Sequence, residues 1–134
     1  MKLPLLTLLI DDDGDDRMFF EMAVDDLEFP VQCHFAHDGI QGIAMLNNTD
    51  FQPDFIFIDM NMPKMNGLEC LQEIRKMERL NHVPVYLYST SNDKIIAAKC
   101  IEYGGCGFIK KENSLDALTK RLQETFENHL HNHS

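Results

Sequence analysis

The strict alternation of short apolar runs with amphipathic stretches of helical length limits the fold of this chain more than any other feature of its sequence. Apolar runs of this length predict buried β-strands, and apolar residues at helical spacing between charged ones predict surface helices. Five such pairs predict an α/β fold, in which helices cover both faces of a doubly wound five-stranded parallel sheet. The predicted strands cover residues 5–10, 31–36, 55–58, 83–88 and 107–109, and the predicted helices cover residues 15–27, 39–46, 67–79, 93–103 and 114–128.

Polar residues and glycines at the ends of the predicted helices support these boundaries. Asn66, followed three positions later by Glu69, has the form of an N-terminal capping box. Ser114 has the residue type preferred at an N-cap and precedes the last helix. Gly104 and Gly105 suit the reversal of the chain after the fourth helix.

Length and charge limit the number of domains and the kinds of partner. A chain of 134 residues has the usual size of one domain, so we expect a single domain over residues 1–134 with a core over about 5–128. The formal net charge of −10 argues against nucleic-acid binding, because that function needs basic surface to neutralise phosphates. The tail at 129–134, which contains His129, His131 and His133, is expected to fray rather than to bind a metal.

The apolar N-terminal segment and the cysteines indicate a cytoplasmic protein. Residues 3–10 are apolar but run directly into a group of aspartates, unlike the small-residue cleavage region of a secretory signal. No apolar stretch is long enough to span a bilayer, so no association with a membrane is expected. Four cysteines without Cys-x-x-Cys spacing lie among apolar residues and are expected to be reduced thiols in or near the core: Cys33, Cys70, Cys100 and Cys106.

Polar and charged residues occur where the predicted strands end. In doubly wound sheets, ligands bind outside the carboxyl ends of the strands, at the point where the strand order switches. In the order 2-1-3-4-5 this point lies between strands one and three. Carboxylates, a hydroxyl and an ammonium at one edge of a sheet suit phosphoryl chemistry better than hydrolysis of carbon substrates. The residues concerned are Asp11, Asp12 and Asp13 after the first strand, Asp59 after the third, Ser89 after the fourth and Lys111 after the fifth.

Three carboxylates held together at this edge would be stabilised by a divalent cation. At a separation of ~5 Å and an effective dielectric constant of ~20, each pair of carboxylates repels by roughly 3 kcal/mol. Mg²⁺ prefers carboxylate and backbone oxygens with several retained waters, and no histidine or cysteine is nearby in the sequence to favour a softer metal. An aspartate beside bound Mg²⁺ is also a usable nucleophile toward a phosphoryl donor.

Four segments of the chain together resemble the receiver domain of two-component response regulators. They are LLIDDD at 8–13, FIFIDMNMPKMNGLE at 55–69, YLYST at 86–90 and GFIKK at 107–111. The pattern from Asp59 to Gly67 carries most of the specificity, and the resemblance covers residue 5 to about residue 128. It implies the flavodoxin-like (βα)5 fold of chemotaxis regulators, with strand order 2-1-3-4-5, and a role in a phosphorelay.

The resemblance implies a phosphorylation site built from the acidic residues. Asp59 is the implied phospho-acceptor, and a phosphohistidine on a histidine kinase or a histidine phosphotransfer protein is the implied donor. Asp12, Asp59 and the backbone carbonyl of Asn61 would bind Mg²⁺ directly, and Asp11 would act on it through water. Such a domain is not an enzyme beyond catalysing its own phosphorylation and dephosphorylation, and its output passes to an unknown downstream protein.

The resemblance also implies a conformational switch. Ser89 would donate its hydroxyl to the phosphoryl oxygens, and Lys111 would pair with those oxygens and, in the resting state, with the acceptor carboxylate. Movement of Ser89 would open space into which Phe108 could rotate. The surface made by the fourth helix, the fifth strand and the fifth helix would change as a result.

Two positions depart from the family pattern. Ser89 stands where threonine is commoner, which keeps the hydroxyl but loses the methyl group that restricts its rotamer. Glu112 stands where the family usually has a proline that follows the lysine in a cis peptide. A cis bond before a residue other than proline costs ~2.5 to 4 kcal/mol, so the Lys111–Glu112 bond is expected to be trans.

The remaining aspartates of the first acidic segment are interpreted as part of a helix start. Asp13, Asp15 and Asp16 precede or open the first predicted helix. Aspartates are common there because they cap backbone N–H groups and interact favourably with the helix dipole. We therefore do not include them in the predicted site.

Two alternative functions stay open on the sequence alone. A degenerate receiver would act only as a binding module, which the departures at Ser89 and Glu112 would permit. A haloacid-dehalogenase-like phosphatase would use Asp11 as its nucleophile, because residues 11–14 match the Asp-x-Asp-Gly motif of that class. The phosphatase hypothesis leaves Asp59 and its flanking pattern unexplained.

Overall fold

Five parallel strands form one sheet at the centre of the protein, and helices lie on both of its faces. The computed structural model describes residues 3–91 and 93–132. The strands are β1 (Leu5–Ile10), β2 (Val31–Ala36), β3 (Phe55–Asp59), β4 (Val85–Ser89) and β5 (Gly107–Lys110), and the α-helices are α1 (Gly14–Asp25), α2 (Gly39–Asn47), α3 (Gly67–Arg75), α4 (Lys94–Glu102) and α5 (Leu115–Asn132). The strand order is β2-β1-β3-β4-β5, which confirms the predicted doubly wound sheet.

Two apolar layers separate the sheet from the helices. Side chains alternate between the faces of a strand, so Leu5 and Leu9 of β1 point to one face and Leu8 and Ile10 to the other. The first face packs against α1 and α5, and the second packs against α2, α3 and α4. Strand β3 is buried along its whole length, which explains its continuous apolar sequence.

Helix α3 ends earlier than the sequence predicted. Its last residue is Arg75 rather than residue 79, and a 3-10 turn follows at Glu78–Leu80. Met77 between them is extended, which redirects the chain so that Leu80 becomes fully buried. The Arg75 guanidinium holds this turn by donating hydrogen bonds to the carbonyls of Leu80 and Val83, at 2.8 and 2.7 Å.

Helix α5 continues further than the sequence predicted. It extends to Asn132, whereas fraying was expected from residue 129 onward. Leu130 packs on the apolar cluster shared by α1 and α5, and the His129 ring contacts the Phe55 ring with centroids 5.2 Å apart. Burial of these side chains stabilises the last turns of the helix. The predicted tail residue His133 lies outside the described residues.

The predicted helix ends are confirmed at several points. The Asn66 side chain accepts a hydrogen bond from the Glu69 N–H, and the Glu69 carboxylate accepts one from the Asn66 N–H, both at 2.9 Å. Ser114 caps α5 by accepting a hydrogen bond from the Ala117 N–H at 3.2 Å. Gly104 has a φ of +94° at the reversal after α4, a conformation that favours glycine.

The structure agrees in part with the expectations for the thiols. Cys70 and Cys100 are buried and Cys33 is half-buried, but Cys106 is exposed, so the expected core position was wrong for that residue. Cys106 lies just before β5, and its N–H donates a hydrogen bond to the Val85 carbonyl at 2.8 Å. In the described ranges, no helix is both long enough and apolar enough to cross a bilayer.

Candidate functional site

The carboxyl ends of β1 and β3 bring three aspartates together. The two strands are neighbours, and Ile10 is paired with Ile58, so the residues that follow them, Asp11 and Asp59, leave the sheet side by side. Asp11 is fully buried and Asp59 nearly so, whereas Asp12 is exposed. One carboxylate oxygen from each of these three aspartates lies within 4.8 Å of the others. The structure thus brings together the three carboxylates that the sequence pointed to.

Hydrogen bonds from the adjoining loops orient these carboxylates. The Asp13 N–H donates to Asp11 Oδ1 at 2.9 Å, and the Asn61 N–H donates to Asp59 Oδ1 at 3.2 Å. Asp13 itself caps α1 by accepting hydrogen bonds from the Asp15 and Asp16 N–H groups, which confirms its predicted role. Asp11 and Asp59 are thus each held at Oδ1 by a backbone N–H of the loop that follows.

Gly67 allows α3 to start directly beside Asp59. A Cβ atom at this position would lie 2.8 Å from both the Asp59 carbonyl oxygen and Met60 Cα. The Gly67 N–H also donates a hydrogen bond to the Met60 carbonyl at 2.9 Å. The Asp59 carbonyl and Met60 Cα belong to one stretch of backbone, which cannot move away from α3 without displacing the end of β3. The close approach of α3 to β3 therefore requires glycine at position 67.

Lys111 carries the positive charge of the site. Its Nζ lies 2.7 Å from Asp16 Oδ2, 3.1 Å from Asp11 Oδ2 and 3.3 Å from Asp59 Oδ1. The ammonium also lies 5.1 Å from the centroid of the Tyr88 ring. The structure confirms that Lys111 reaches the acidic cluster, and it adds Asp16 as a partner that sequence analysis had excluded from the site.

The backbone around Lys111 explains how the side chain reaches the cluster from the edge strand. The Lys111 N–H donates to the Ser89 carbonyl at 2.8 Å, which continues the pairing of β4 with β5 by one residue. Among the described residues, the only cis peptide bond precedes Pro4, so the Lys111–Glu112 bond is trans as expected. Glu112 then pairs with Arg121 of α5 at 3.5 Å.

Ser89 and Phe108 occupy the positions from which a switch would operate. Ser89 ends β4, is 3% exposed, and its hydroxyl oxygen accepts a hydrogen bond from the Ser91 N–H at 3.2 Å. Phe108 of β5 is half-buried and packs against the apolar cluster of α2, α3 and α4. Their roles in switching stay predictions.

Burial and mutual repulsion shift the titration of the cluster. Burial, followed by the negative charge of Asp11, raises the pKa of Asp59 to about 7. Burial also raises the pKa of Asp11. Burial alone would lower the pKa of Lys111, but the hydrogen bond to Asp16 and the charges of Asp11 and Asp59 raise it above its ordinary value. Without a cation, this edge of the sheet therefore holds more negative charge than Lys111 offsets.

The donor set fits a magnesium ion. Within residues 3–91 and 93–132, the group that could hold a metal consists of Asp11, Asp12 and Asp59, which offer carboxylate oxygens only. Hard oxygen ligands favour Mg²⁺ over softer metals. Asp11 Oδ2 is buried and has no hydrogen-bond partner among the described residues. A bound cation, or a water molecule held by it, would give this oxygen a partner.

Comparisons with known proteins agree with this arrangement. The family model described as the response regulator receiver domain matches residues 7–123. The chain is 32% identical over 122 residues to the chemotaxis protein CheY of Pseudomonas aeruginosa, with coverage of 90% of this chain and 94% of that protein. Solved structures of the phosphorylated cyanobacterial phytochrome response regulator RcpA and of Mn(2+)-bound response regulator Rcp1 align with TM-scores of 0.82 and 0.79, at 25% and 24% identity. Each alignment covers 92% of this chain, and 91% and 93% of the two structures respectively. The chain therefore belongs to the response regulator receiver domain family, the signalling modules of two-component systems.

Proposed function

We propose that this protein is a phospho-acceptor receiver in which Asp59 takes a phosphoryl group from a phosphohistidine in a magnesium-dependent reaction. The observation that carries the proposal is the position of Asp59, nearly buried at the end of β3, with Asp11 and Asp12 on one side and Lys111 Nζ at 3.3 Å. This arrangement supplies a nucleophile, a set of metal ligands and a cation for the phosphoryl oxygens.

The proposed magnesium ligands are Asp12, Asp59 and the backbone carbonyl of Asn61, with Asp11 acting through water. When bound, Mg²⁺ supplies positive charge that offsets the carboxylates and the incoming phosphoryl group. The structurally similar response regulator Rcp1 has been solved in a Mn(2+)-bound form, which supports the binding of a divalent cation by this chain. Asp11 Oδ2, buried without satisfied hydrogen bonding, points to the same conclusion in this chain.

The transfer step uses one oxygen of the Asp59 carboxylate. That oxygen attacks the phosphorus of the donor, a new O–P bond forms, and the P–N bond to the donor histidine breaks. The histidine nitrogen keeps the electron pair of the broken bond, and because the other ring nitrogen carries a proton, the ring leaves as neutral imidazole. Lys111 and the Ser89 hydroxyl would donate to the phosphoryl oxygens as charge develops on them. The relative RcpA has been solved in a phosphorylated form, which supports this chemistry.

The proposed donor is a histidine kinase or a histidine phosphotransfer protein, and the proposed output is contact with a downstream protein. The acyl phosphate on Asp59 would carry about −1.5 to −2 charge in place of the single charge of the carboxylate, and this larger charge would draw Ser89 and Lys111 toward the new group. Rotation of Phe108 into the space left by Ser89 would then change the surface formed by α4, β5 and α5.

The chain is 31% identical over 114 residues to part of the sensor histidine kinase CheAY of Helicobacter pylori, a relative of which it covers 14%. We further propose a cytoplasmic location and no catalytic activity beyond autophosphorylation and autodephosphorylation.

One experiment separates this proposal from its two alternatives. The protein is incubated with Mg²⁺ and acetyl phosphate, and its intact mass is recorded beside those of the variants Asp59→Asn and Asp11→Asn. We expect a gain of about 80 Da, one phosphoryl group, that Asp59→Asn abolishes. A gain that survives Asp59→Asn but not Asp11→Asn would support the phosphatase hypothesis. No gain in the native protein, with folding intact, would support the degenerate binding module.

A further inference from the structure

We propose that Asp16 is a positioning residue that holds Lys111 in the resting protein and thereby weakens the binding of a phosphoryl group at Asp59. The inference rests on the proposed function of Asp59 and goes beyond it, because it assigns a regulating role to a residue outside the acceptor and its metal ligands. The shortest contact of Lys111 carries the proposal. Its Nζ donates a hydrogen bond to Asp16 Oδ2 at 2.7 Å, closer than either Asp11 or Asp59.

Three carboxylates surround the Lys111 ammonium, and Asp16 accepts its hydrogen bond. A lysine ammonium has three N–H groups, and Asp16, Asp11 and Asp59 all lie within 3.3 Å of the nitrogen. The Lys111 side chain is only 10% exposed, so water does not readily replace these partners. A phosphoryl oxygen that approaches Lys111 therefore competes with these carboxylates for the ammonium, and most directly with Asp16, which already accepts a hydrogen bond from it.

Asp16 differs from the other two partners in its relation to the metal. Asp11 and Asp59 belong to the group that could hold a cation, and Asp16 does not. Bound Mg²⁺ would thus offset the charges of Asp11 and Asp59 and weaken their attraction for Lys111. Asp16 would keep its full charge and remain the competitor of the phosphoryl oxygens for Lys111. The same charge also opposes the approach of the negatively charged phosphoryl group.

A simple role in stabilising α1 would explain an aspartate at position 16 but not its contact with Lys111. Asp15 lies in the same first turn, so it has the same relation to the helix dipole. Asp15 is exposed and makes no ion pair with any residue that the structure describes. The variant Asp15→Asn is therefore a matched control, with the same charge change one residue away and no effect on Lys111.

The test measures the affinity of the folded protein for beryllofluoride at saturating Mg²⁺ by isothermal titration calorimetry. We expect Asp16→Asn to lower the dissociation constant about five-fold, near the upper end of what one partly exposed ion pair contributes, and Asp15→Asn to change it less than about two-fold. In a Lys111→Met background, adding Asp16→Asn should change the constant less than about two-fold, because the effect passes through Lys111. The inference is overturned if Asp16→Asn and Asp15→Asn change the dissociation constant equally, or if Asp16→Asn binds beryllofluoride more weakly than the native protein. It is also overturned if Asp16→Asn has its full effect in the Lys111→Met background.

A second measurement on the metal-free protein distinguishes a failure of this inference from a failure of the proposed function. The NMR signals of the Lys111 ammonium protons should be observable in the native protein and in Asp15→Asn but lost to exchange in Asp16→Asn. Retention of these signals in Asp16→Asn would contradict the restraint by Asp16, whatever happens at Asp59. If the native protein and Asp16→Asn both fail to bind beryllofluoride, the proposed function is wrong, and the effect of Asp16 on phosphoryl binding is wrong with it.

Discussion

Lys111 Nζ and Asp59 Oδ1 form an ion pair of 3.3 Å between side chains that are 10% and 6% exposed. The pair joins the last residue of β3 to the residue that follows β5, across the intervening strand β4. Such a buried pair connects the acceptor directly to the strand and helix whose surface would carry the signal. A group attached to Asp59 would therefore meet the Lys111 ammonium directly.

Burial of Asp59, together with repulsion from Asp11, predicts that Asp59→Asn stabilises the metal-free protein above neutral pH. Burial raises the pKa of Asp59 to about 7, so the native state favours the protonated carboxyl more than the unfolded state does. Stability should therefore fall as the pH rises from about 4 to about 7, and the whole penalty should be present above that range. We expect the variant to gain about 2 kcal/mol of unfolding free energy at pH 8 and little at pH 4.

Urea unfolding at the two pH values, without divalent cations, measures this difference. Asp15→Asn is the control for net charge, because Asp15 is exposed and lies outside the cluster. An equal gain at pH 8 from both variants would contradict the effect of burial at Asp59. The same gain for Asp59→Asn at both pH values would show that its ionisation is not the cause.

The contact between α3 and the end of β3 predicts that Gly67→Ala is strongly destabilising. The added methyl would lie 2.8 Å from Asp59 O and Met60 Cα, and neither backbone atom can move without shifting the acceptor. We expect a loss of about 2 to 3 kcal/mol in thermal or urea unfolding. Gly14→Ala is the matched control, because its Cβ would meet only Arg17 Nη2 at 3.4 Å. Equal stability of the two variants would show that the helix start can relax.

Predictions from the sequence succeeded where local chemistry determines position. Asp11 and Asp59 follow largely apolar runs, and a carboxylate is costly in the middle of a buried strand, so both were expected where the strands end. The pairing of Asn66 with Glu69 likewise depends on residues three positions apart.

Features that depend on distant packing were not predicted. Asp16 and Lys111 are 95 positions apart, and they meet only because α1 and α5 lie on the same face of the sheet. The strand order places β3 and β4 between β1 and β5, so the contact depends on the packing of the two helices and on the reach of the Lys111 side chain, neither of which has a local signal in the sequence. The end of α3 gave no local signal, since the burial of Leu80 and the hydrogen bonds of Arg75 determine it.

The carboxylate cluster predicts that Mg²⁺ stabilises the folded protein and that Asp12 is required for this effect. A ligand present at one hundred times its dissociation constant adds about 2.7 kcal/mol to the unfolding free energy, provided that it binds the folded state only. Asp12→Asn should remove most of this gain, because it removes the exposed ligand of the group. Asp13→Asn should keep it, since asparagine can still cap α1. The measurement is thermal unfolding over a series of Mg²⁺ concentrations, and equal magnesium responses of the two variants would exclude Asp12 as a ligand.

The buried hydroxyl at the end of β4 predicts a difference between two substitutions of Ser89. Ser89→Ala removes the acceptor of the Ser91 N–H and the proposed donor to the phosphoryl oxygens, so we expect beryllofluoride affinity at saturating Mg²⁺ to fall about ten-fold. Ser89→Thr keeps the hydroxyl and adds a methyl group that restricts its rotamer, so the affinity should stay within about two-fold of the native value. Calorimetric titration of both variants measures the change. If Ser89→Ala binds as tightly as the native protein while Ser89→Thr binds weakly, the pocket tolerates loss of the hydroxyl but not added volume, and Ser89 does not donate to the phosphoryl group.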